Sequence, residues 1–171
     1  SYLKRLWQTW MEIPDCRIGW FPFSLFKALQ LMRSENIDVI YSTSDPFTSH
    51  LVALYLKIIT KKPWVADFRD PWTQYSLYEH HSALRRKIDK KIEYQILLRA
   101  DVVTVTSNLT ANGFVDKYPA IPREKITSIT NGYDPPDFES IVPSLKNQRF
   151  TITFAGKYFG VTSLNKFMEG V

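Results

Sequence analysis

From Trp20 onward, helical runs and short apolar runs of β type alternate along the chain with the spacing of successive strand–helix units. Strands such as Trp64-Val65-Ala66 and Asp101–Val105 are short and mostly apolar, which is typical of a sheet covered on both faces. The pattern predicts an α/β fold with a doubly wound parallel sheet. The predicted elements are helix 23–35, strand 37–42, helix 46–60, strand 63–68, helix 82–99, strand 101–105, helix 108–118 and strand 125–129.

The chain changes character after Asn131-Gly132, where prolines interrupt it before a new apolar run at 150–154. A turn dipeptide in that position suggests a crossover or hinge, although a plain turn would also explain it. Residues 149–171 are predicted to form one strand and one helix, which cannot bury a core. The sequence is therefore expected to contain only the beginning of a second domain. The predicted parts are a domain over 1–130 that lacks its first strand, a linker over 131–148, and the start of another domain over 149–171.

Composition excludes several classes of protein. With 44% hydrophobic and 23% charged residues, and no run of roughly 18 apolar residues, the sequence does not resemble a membrane-spanning protein. The single cysteine, Cys16, excludes an internal disulfide and any multi-cysteine metal site. The expected location is the cytoplasm, with the inner face of the cell membrane as an alternative.

The net charge of +5 is concentrated in helix 82–99, whose basic residues accompany an apolar repeat at Leu84, Ile88, Ile92 and Ile96. The solvated outer face of a packed helix explains this pattern best. Contact with an anionic membrane is the next alternative, and contact with nucleic acid is not expected. A second amphipathic helix, predicted over 2–12, would dock on another part of the protein or lie at a membrane surface. The basic residues of helix 82–99 are Arg85, Arg86, Lys87, Lys90 and Lys91.

Ligands of an open parallel sheet bind beyond the carboxyl ends of its strands, so the loops after the strands carry the candidate residues. The first loop contains Ser44 and leads to His50 in the next helix, with Asp45-Pro46 as its predicted N-cap and first residue. Free N–H groups and hydroxyls there would hold a sugar or an anion, although helix capping explains them equally well. The third loop, Thr106-Ser107-Asn108, opens a helix, and capping is again the alternative.

The loop Asp67-Phe68-Arg69-Asp70-Pro71-Trp72 has the strongest chemical content in the chain. Arg69 would bind a phosphate or carboxylate through its planar guanidinium, Asp70 would accept hydrogen bonds from sugar hydroxyls, and Trp72 would offer its ring to a sugar. A structural Asp–Arg pair that braces the loop is the alternative. The sequence has no glycine-rich nucleotide motif, no nucleophile elbow and no metal-ligand spacing, so neither a metal nor a bound cofactor is expected.

Taken in order, short segments of the chain resemble the acceptor-side domain of family 4-like glycosyltransferases, which have the two-domain GT-B fold with Rossmann-like sheets. The best match is 62–72, Lys-Pro-Trp-Val-Ala-Asp-Phe-Arg-Asp-Pro-Trp. Each segment is short, and their order makes the resemblance specific. The segments are 13–15, 18–20, 38–46 with 49–50, 62–72, 99–101, 106–107, 125–126, 130–134 and 154–158.

The resemblance implies a retaining transferase that moves a sugar from a nucleotide-sugar donor to an acceptor without a metal. Many family members have a His-Asp pair where this chain has Arg69-Asp70, and an arginine stays charged and only donates. The family's first strand with its glycine loop, and its cationic and ribose-binding residues, are not in the sequence, so these 171 residues alone are expected to be inactive. The implied roles are catalytic for Arg69 and Asp70, acceptor-binding for Ser44, His50, Asp67 and Trp72, donor-binding for Gly156 and Lys157, and cleft or hinge for Ser107, Asn131 and Gly132.

The leading hypothesis is therefore a fragment of a hexosyl-type glycosyltransferase of cell-surface polysaccharide or glycoconjugate assembly. Its partners would be a nucleotide-sugar, a sugar or lipid-linked acceptor, and an anionic membrane at its periphery. Two alternatives stay open at this point. One is another GT-B-like enzyme, such as a nucleotide-sugar epimerase, and the other is a non-catalytic α/β module that binds a sugar or an anion.

Overall fold

The computed structural model describes residues 12–74, 82–139, 147, 149–155 and 168–169. The helix predicted over 2–12 therefore lies outside the described residues, apart from Glu12, and so do Gly156 and Lys157. The elements in chain order are α1 (Phe21–Ser34), β1 (Ile40–Ser44), α2 (Thr48–Thr60), β2 (Trp64–Phe68), α3 (Ala83–Arg99), β3 (Val102–Val105), α4 (Asn108–Lys117), β4 (Ile126–Ser128) and α5 (Pro136–Glu139), with 3-10 turns at Ile18–Trp20 and Arg123–Lys125.

The four strands form one parallel sheet in the order β1-β2-β3-β4, which confirms the predicted α/β class. Right-handed crossovers between strands that follow one another in space place the connecting helices on the same face of the sheet. The strand side chains agree, because burial alternates along β1 and Ile40, Ser42 and Ser44 are buried while Tyr41 and Thr43 are exposed.

In the described part of the chain one face of the sheet is more deeply buried than the other. The covered face carries the core, in which Phe68 meets Phe114 edge-on at 5.1 Å between ring centroids. On the other face Val39, Tyr41 and Val102 are exposed. Alternating burial, as seen along β1, is typical of strands with one more deeply buried face.

Helix α2 begins at Thr48 rather than at the predicted Pro46, and Asp45 does not cap it. The capping group comes from far away in sequence: the Asp15 carboxylate accepts hydrogen bonds from the Thr48 N–H and hydroxyl, both at 2.8 Å. A carboxylate at this position satisfies a free N–H and lies favourably toward the positive end of the helix dipole. Strand β1 likewise begins at Ile40, three residues after its predicted start.

Helix α3 presents a different face to the interior than its apolar repeat predicts. Leu84 is 55% exposed, whereas Arg85, Asp89 and Glu93 are buried together with Ile96. The apolar repeat is therefore inward only in the second half of the helix, and Arg85 does not belong to the solvated basic face. Burial of the charged residues is tolerated because each is paired with an opposite charge. The bases that do remain exposed on α3 include Arg86, Lys87, Lys90 and Lys91.

The chain divides into two compact units, Ser1–Asn131 and Gly132–Val171. In the second unit the helix α5 packs Phe138 edge-on against Tyr133 at 5.5 Å. The strand predicted over 150–154 is not formed within the described residues 149–155, where the backbone has neither helical nor strand pairing. A strand needs a neighbour to complete its hydrogen bonds, and Phe150 is instead exposed. No helix in the described residues combines the length and hydrophobicity needed to cross a membrane.

Candidate functional site

The carboxyl edge of the sheet is organised around the Asp67 carboxylate. Thr43, Asp67 and Thr104 are register partners on three adjacent strands. The Thr43 hydroxyl donates to one carboxylate oxygen at 2.7 Å, and the Thr104 hydroxyl donates to the other at 2.6 Å. Burial works against the charge, but hydrogen bonds from Thr104, Thr43 and Tyr41 outweigh it and lower the pKa of Asp67. The carboxylate is therefore ionised and ties three strand ends together.

Arg69 and Asp70 follow directly and are both exposed. Their backbone is held by the Thr106 hydroxyl, which donates to the Arg69 carbonyl at 3.0 Å. Among the described residues, neither side chain takes part in an ion pair, so the alternative of a bracing Asp–Arg pair is not realised there. A guanidinium and a carboxylate thus lie side by side on an anchored loop, open to an anion or to hydroxyl groups.

Trp72 lies at the end of the same loop but turns into the core. Its ring is completely buried and stacks on Phe47 at 4.5 Å between centroids and an angle of 11°. Protein covers the face that sequence reasoning assigns to a sugar, so this ring makes no sugar contact in the observed conformation. Burial of so large an apolar surface is favourable, and that explains why the loop folds back.

His50 is also buried rather than placed at an acceptor surface. The Trp64 indole N–H donates to the Ser42 hydroxyl at 2.8 Å, and that hydroxyl lies 2.8 Å from Nδ1 of His50. The ring packs against Phe68 at 4.5 Å between centroids. Burial lowers the pKa of His50 to about 3, so the imidazole is neutral at ordinary pH. His50 therefore connects α2 to β1 and β2, and it does not face an acceptor.

This buried histidine predicts an acid-dependent loss of stability. In the unfolded chain its ordinary pKa is 6.5, whereas in the fold it is about 3, so unfolding takes up a proton between these values. The stabilising contribution is complete above pH 6.5 and declines as the pH falls toward 3, reaching a loss of about 2 kcal/mol at pH 5. Urea unfolding as a function of pH should show this slope. His50→Asn, which cannot titrate, should flatten it, and equal slopes in both proteins would contradict the assignment.

The other predicted residues have mixed placements. Ser44 is buried, with its hydroxyl 3.5 Å from the Asp67 carbonyl. Ser107 is the N-cap of α4 and accepts a hydrogen bond from the Thr110 N–H at 3.1 Å, as the capping alternative predicts. Asn131 and Gly132 are exposed at the boundary between the two units. The structure thus brings Ser44, Asp67 and Ser107 to the strand ends beside the loop of Arg69 and Asp70.

A buried carboxylate that sequence reasoning missed anchors the far end of this loop. Glu93 of α3 accepts hydrogen bonds from the Thr73 N–H at 2.9 Å and the Thr73 hydroxyl at 2.7 Å. The ammonium of Lys117 and the phenol of Tyr118 each lie 2.6 Å from its second oxygen, and the ammonium also contacts the Thr73 hydroxyl. Burial and the Glu93 charge raise the pKa of Tyr118. The spacing of Arg85, Asp89 and Glu93 could have indicated a buried charged face, because it places three charges on one side of α3.

Comparison with known protein families gives a match that agrees with the sheet and its strand-end loops. The family model of Glycosyltransferase Family 4 matches residues 8–136, well over half of the chain. The chain belongs to Glycosyltransferase Family 4. A comparison with curated proteins finds no match. The matched residues include every strand of the sheet and the loop of Arg69 and Asp70. Family membership supports a glycosyltransferase-like function for the domain.

A groove of about 430 Å³ runs beside β1 of this Glycosyltransferase Family 4 domain, at the edge of the sheet. Its walls come from the turn Ile18–Trp20, α1, β1 and α2, and include Trp20, Tyr41 and Val52. Thr43 lines the groove and also donates to the Asp67 carboxylate. A ligand in the groove would therefore lie next to the Asp67 network.

The described residues of the family domain contain no group of three or more His, Cys, Asp or Glu side chains arranged to hold a metal ion. The polar groups at this edge of the sheet include Arg69, Asp70 and the hydroxyl groups around Asp67. Arginine supplies permanent positive charge and planar donors, and the carboxylates accept hydrogen bonds from hydroxyl groups. Such a set is suited to binding sugars and phosphates.

Proposed function

We propose that the intact protein is a retaining glycosyltransferase, with this domain as the acceptor side of its cleft. It transfers a sugar, of the hexosyl type, from a nucleotide-sugar to a sugar or lipid-linked acceptor in cell-surface polysaccharide or glycoconjugate assembly. Family membership supports the transferase class. The observation that carries the proposal is the exposed pair Arg69 and Asp70, which the Asp67 network and Thr106 hold at the carboxyl edge of the sheet.

The anchored loop gives the two side chains complementary roles. Arg69 donates from a permanently charged guanidinium, which suits the negative charge that develops on a departing nucleoside diphosphate or a phosphate on the acceptor. Asp70 accepts hydrogen bonds from sugar hydroxyls and orients the acceptor. Since the loop is fixed at both ends by Asp67 and by Glu93, little order is lost when a ligand binds.

The donor side of the cleft would come from beyond the described residues, and Gly156 and Lys157 stay predictions for it. Ser44 and Asp67 contribute to the acceptor side by shaping the strand ends. His50 and Trp72 support the same region from within the core, by packing against Phe68 and Phe47. The cleft wall is thus polar at its surface and aromatic beneath it.

The test is release of nucleoside diphosphate from a panel of nucleotide-sugars by the full-length protein. We expect Arg69→Ala and Asp70→Asn each to lower kcat/KM by about tenfold or more, because each removes a charged contact from the reacting region. Matched controls are Arg86→Ala and Asp116→Asn, which alter exposed residues of the same types on α3 and α4.

The controls should keep full turnover, and all four variants should unfold like the unmodified protein, since the altered side chains are exposed. Full turnover in both Arg69→Ala and Asp70→Asn would remove this loop from the active site. Absence of turnover with every donor and acceptor, combined with sugar binding by the protein, would favour the non-catalytic binding module.

A further inference from the structure

Helix α4 contains a glycine where its backbone does not require one. Gly113 lies in the middle of the helix, and no glycine in the described part of the chain has a positive φ. Inside a helix, glycine is less favourable than alanine, because it loses more backbone freedom on folding. The reason for a glycine at this position therefore lies in the space around it.

The space beside Gly113 is filled by the side chain of Gln74. The Nε2 atom of Gln74 donates a hydrogen bond to the Gly113 carbonyl at 2.8 Å. A Cβ atom at position 113 would lie 2.6 Å from Oε1 of Gln74 and 3.5 Å from its Cδ. The first of these distances is too short for atoms that are not bonded, so only glycine admits the Gln74 amide at this place.

Gln74 is the last residue of the anchored loop, residues 69–74, which carries the exposed arginine–aspartate pair. The residue before it, Thr73, contacts the ammonium of Lys117. Lys117 follows Gly113 by four residues on α4, and residues at that spacing lie on one side of a helix. One side of α4 therefore receives two successive residues from the end of the anchored loop.

The beginning of the anchored loop is held by the same part of the fold. Thr106, two residues before α4, donates to the Arg69 carbonyl at 3.0 Å. Phe68, the residue before the loop, meets Phe114 of α4 edge-on at 5.1 Å between ring centroids. Both ends of the loop thus contact α4 or the residues that lead into it, and Asp70 lies between them.

We infer that the contact between Gln74 and Gly113 positions Arg69 and Asp70 for sugar transfer. The inference rests on the proposed function, in which these two side chains contact the substrates. Gln74 and Gly113 are positioning residues, because they act on the exposed pair through the backbone of the anchored loop. Displacement of a reacting group by about 1 Å lowers a rate by up to about a hundredfold, so loss of such a contact is measurable as turnover.

Gly113→Ala in the full-length protein tests the inference. The new methyl group would displace the amide at the end of the flexible Gln74 side chain, so the backbone of α4 need not move. Alanine also favours the helix, so the free energy of unfolding in urea should be unchanged or slightly higher. We expect kcat for release of nucleoside diphosphate to fall about fivefold, with the donor KM changed by less than about twofold. Hydrogen exchange of residues 69–74 should become faster.

Gln74→Ala removes the same contact from the other side and should lower kcat by a similar factor. Adding Gly113→Ala to this variant should cause no further loss, because the side-chain atoms that the methyl group would meet are gone. Asn112→Ala is the matched control, since it introduces alanine at an exposed position of the same helix. It should keep full kcat and the hydrogen exchange of the unmodified protein.

Unchanged kcat in Gly113→Ala would overturn the inference, and so would a lower kcat without faster exchange of residues 69–74. A further loss on combining the two substitutions would also overturn it, because the two residues would then act separately. Failure of the proposed function would look different. In that case the unmodified protein would release no nucleoside diphosphate, or Arg69→Ala and Asp70→Asn would both keep full turnover.

Discussion

Glu93→Ala is expected to lower the free energy of unfolding by about 3–5 kcal/mol, the usual effect of removing one member of a buried ion pair. Glu93 is completely buried and receives hydrogen bonds from Thr73, Lys117 and Tyr118. Alanine would leave the Lys117 ammonium without its carboxylate in a partly buried site. It would also release Thr73, and with it the end of the loop that carries Arg69 and Asp70.

Urea unfolding of the full-length protein measures this effect, with Glu93→Gln as the matched control. Glutamine keeps the size of the side chain and an acceptor oxygen but removes the charge. The free energy of unfolding of Glu93→Gln should therefore lie between those of the unmodified protein and of Glu93→Ala. Lys117→Met in the Glu93→Gln background should recover stability, because it removes the unpaired ammonium. Equal stability of Glu93→Ala and the unmodified protein would show that the network does not hold the loop.

Arg85→Met is expected to produce a loss of similar size, about 3–5 kcal/mol, because it also removes one member of a buried ion pair. The Arg85 guanidinium contacts both oxygens of the buried Asp89 carboxylate, at 2.9 and 2.8 Å. It also donates to the backbone carbonyls of Glu12 and Pro14, both at 2.9 Å. Burial raises the pKa of Asp89 despite the attraction of Arg85, so removing the arginine would leave an unfavourably placed carboxylate.

A double-mutant cycle separates the two parts of this effect. Arg85→Met combined with Asp89→Leu replaces the ion pair by apolar groups and should recover part of the loss. Recovery should be incomplete, because the carbonyls of Glu12 and Pro14 still lose their donor. The remaining loss reports how strongly Arg85 holds residues 12–15, from which Asp15 reaches the start of α2. A loss below about 1 kcal/mol for Arg85→Met, as for a surface pair, would contradict the assignment.

The convergence of polar side chains at the carboxyl edge of the sheet was predictable, but the burial of each side chain was predictable only in part. Strand-end loops of a parallel sheet converge whatever their sequences, so the predicted strand ends suffice to place Ser44, Asp67 and Ser107 near one another. Burial of the neighbouring Trp72 and His50 is not predictable in this way, because a tryptophan or histidine in a polar loop looks the same whether it faces a ligand or a core. Trp72 is buried against Phe47 and His50 against Phe68, and both partners come from other parts of the chain.

The sequence by itself determined the parallel α/β class, the positions of most helices and strands, and the family resemblance that the family match confirms. Those properties depend on local periodicity and on short motifs, which are written along the chain. Only the tertiary structure decided that Asp15 caps α2, that α3 buries Arg85, Asp89 and Glu93, and that α1 leaves Phe23 and Phe26 exposed. The physical reason is that capping, charge pairing and burial depend on partners distant in sequence, and periodicity does not identify them.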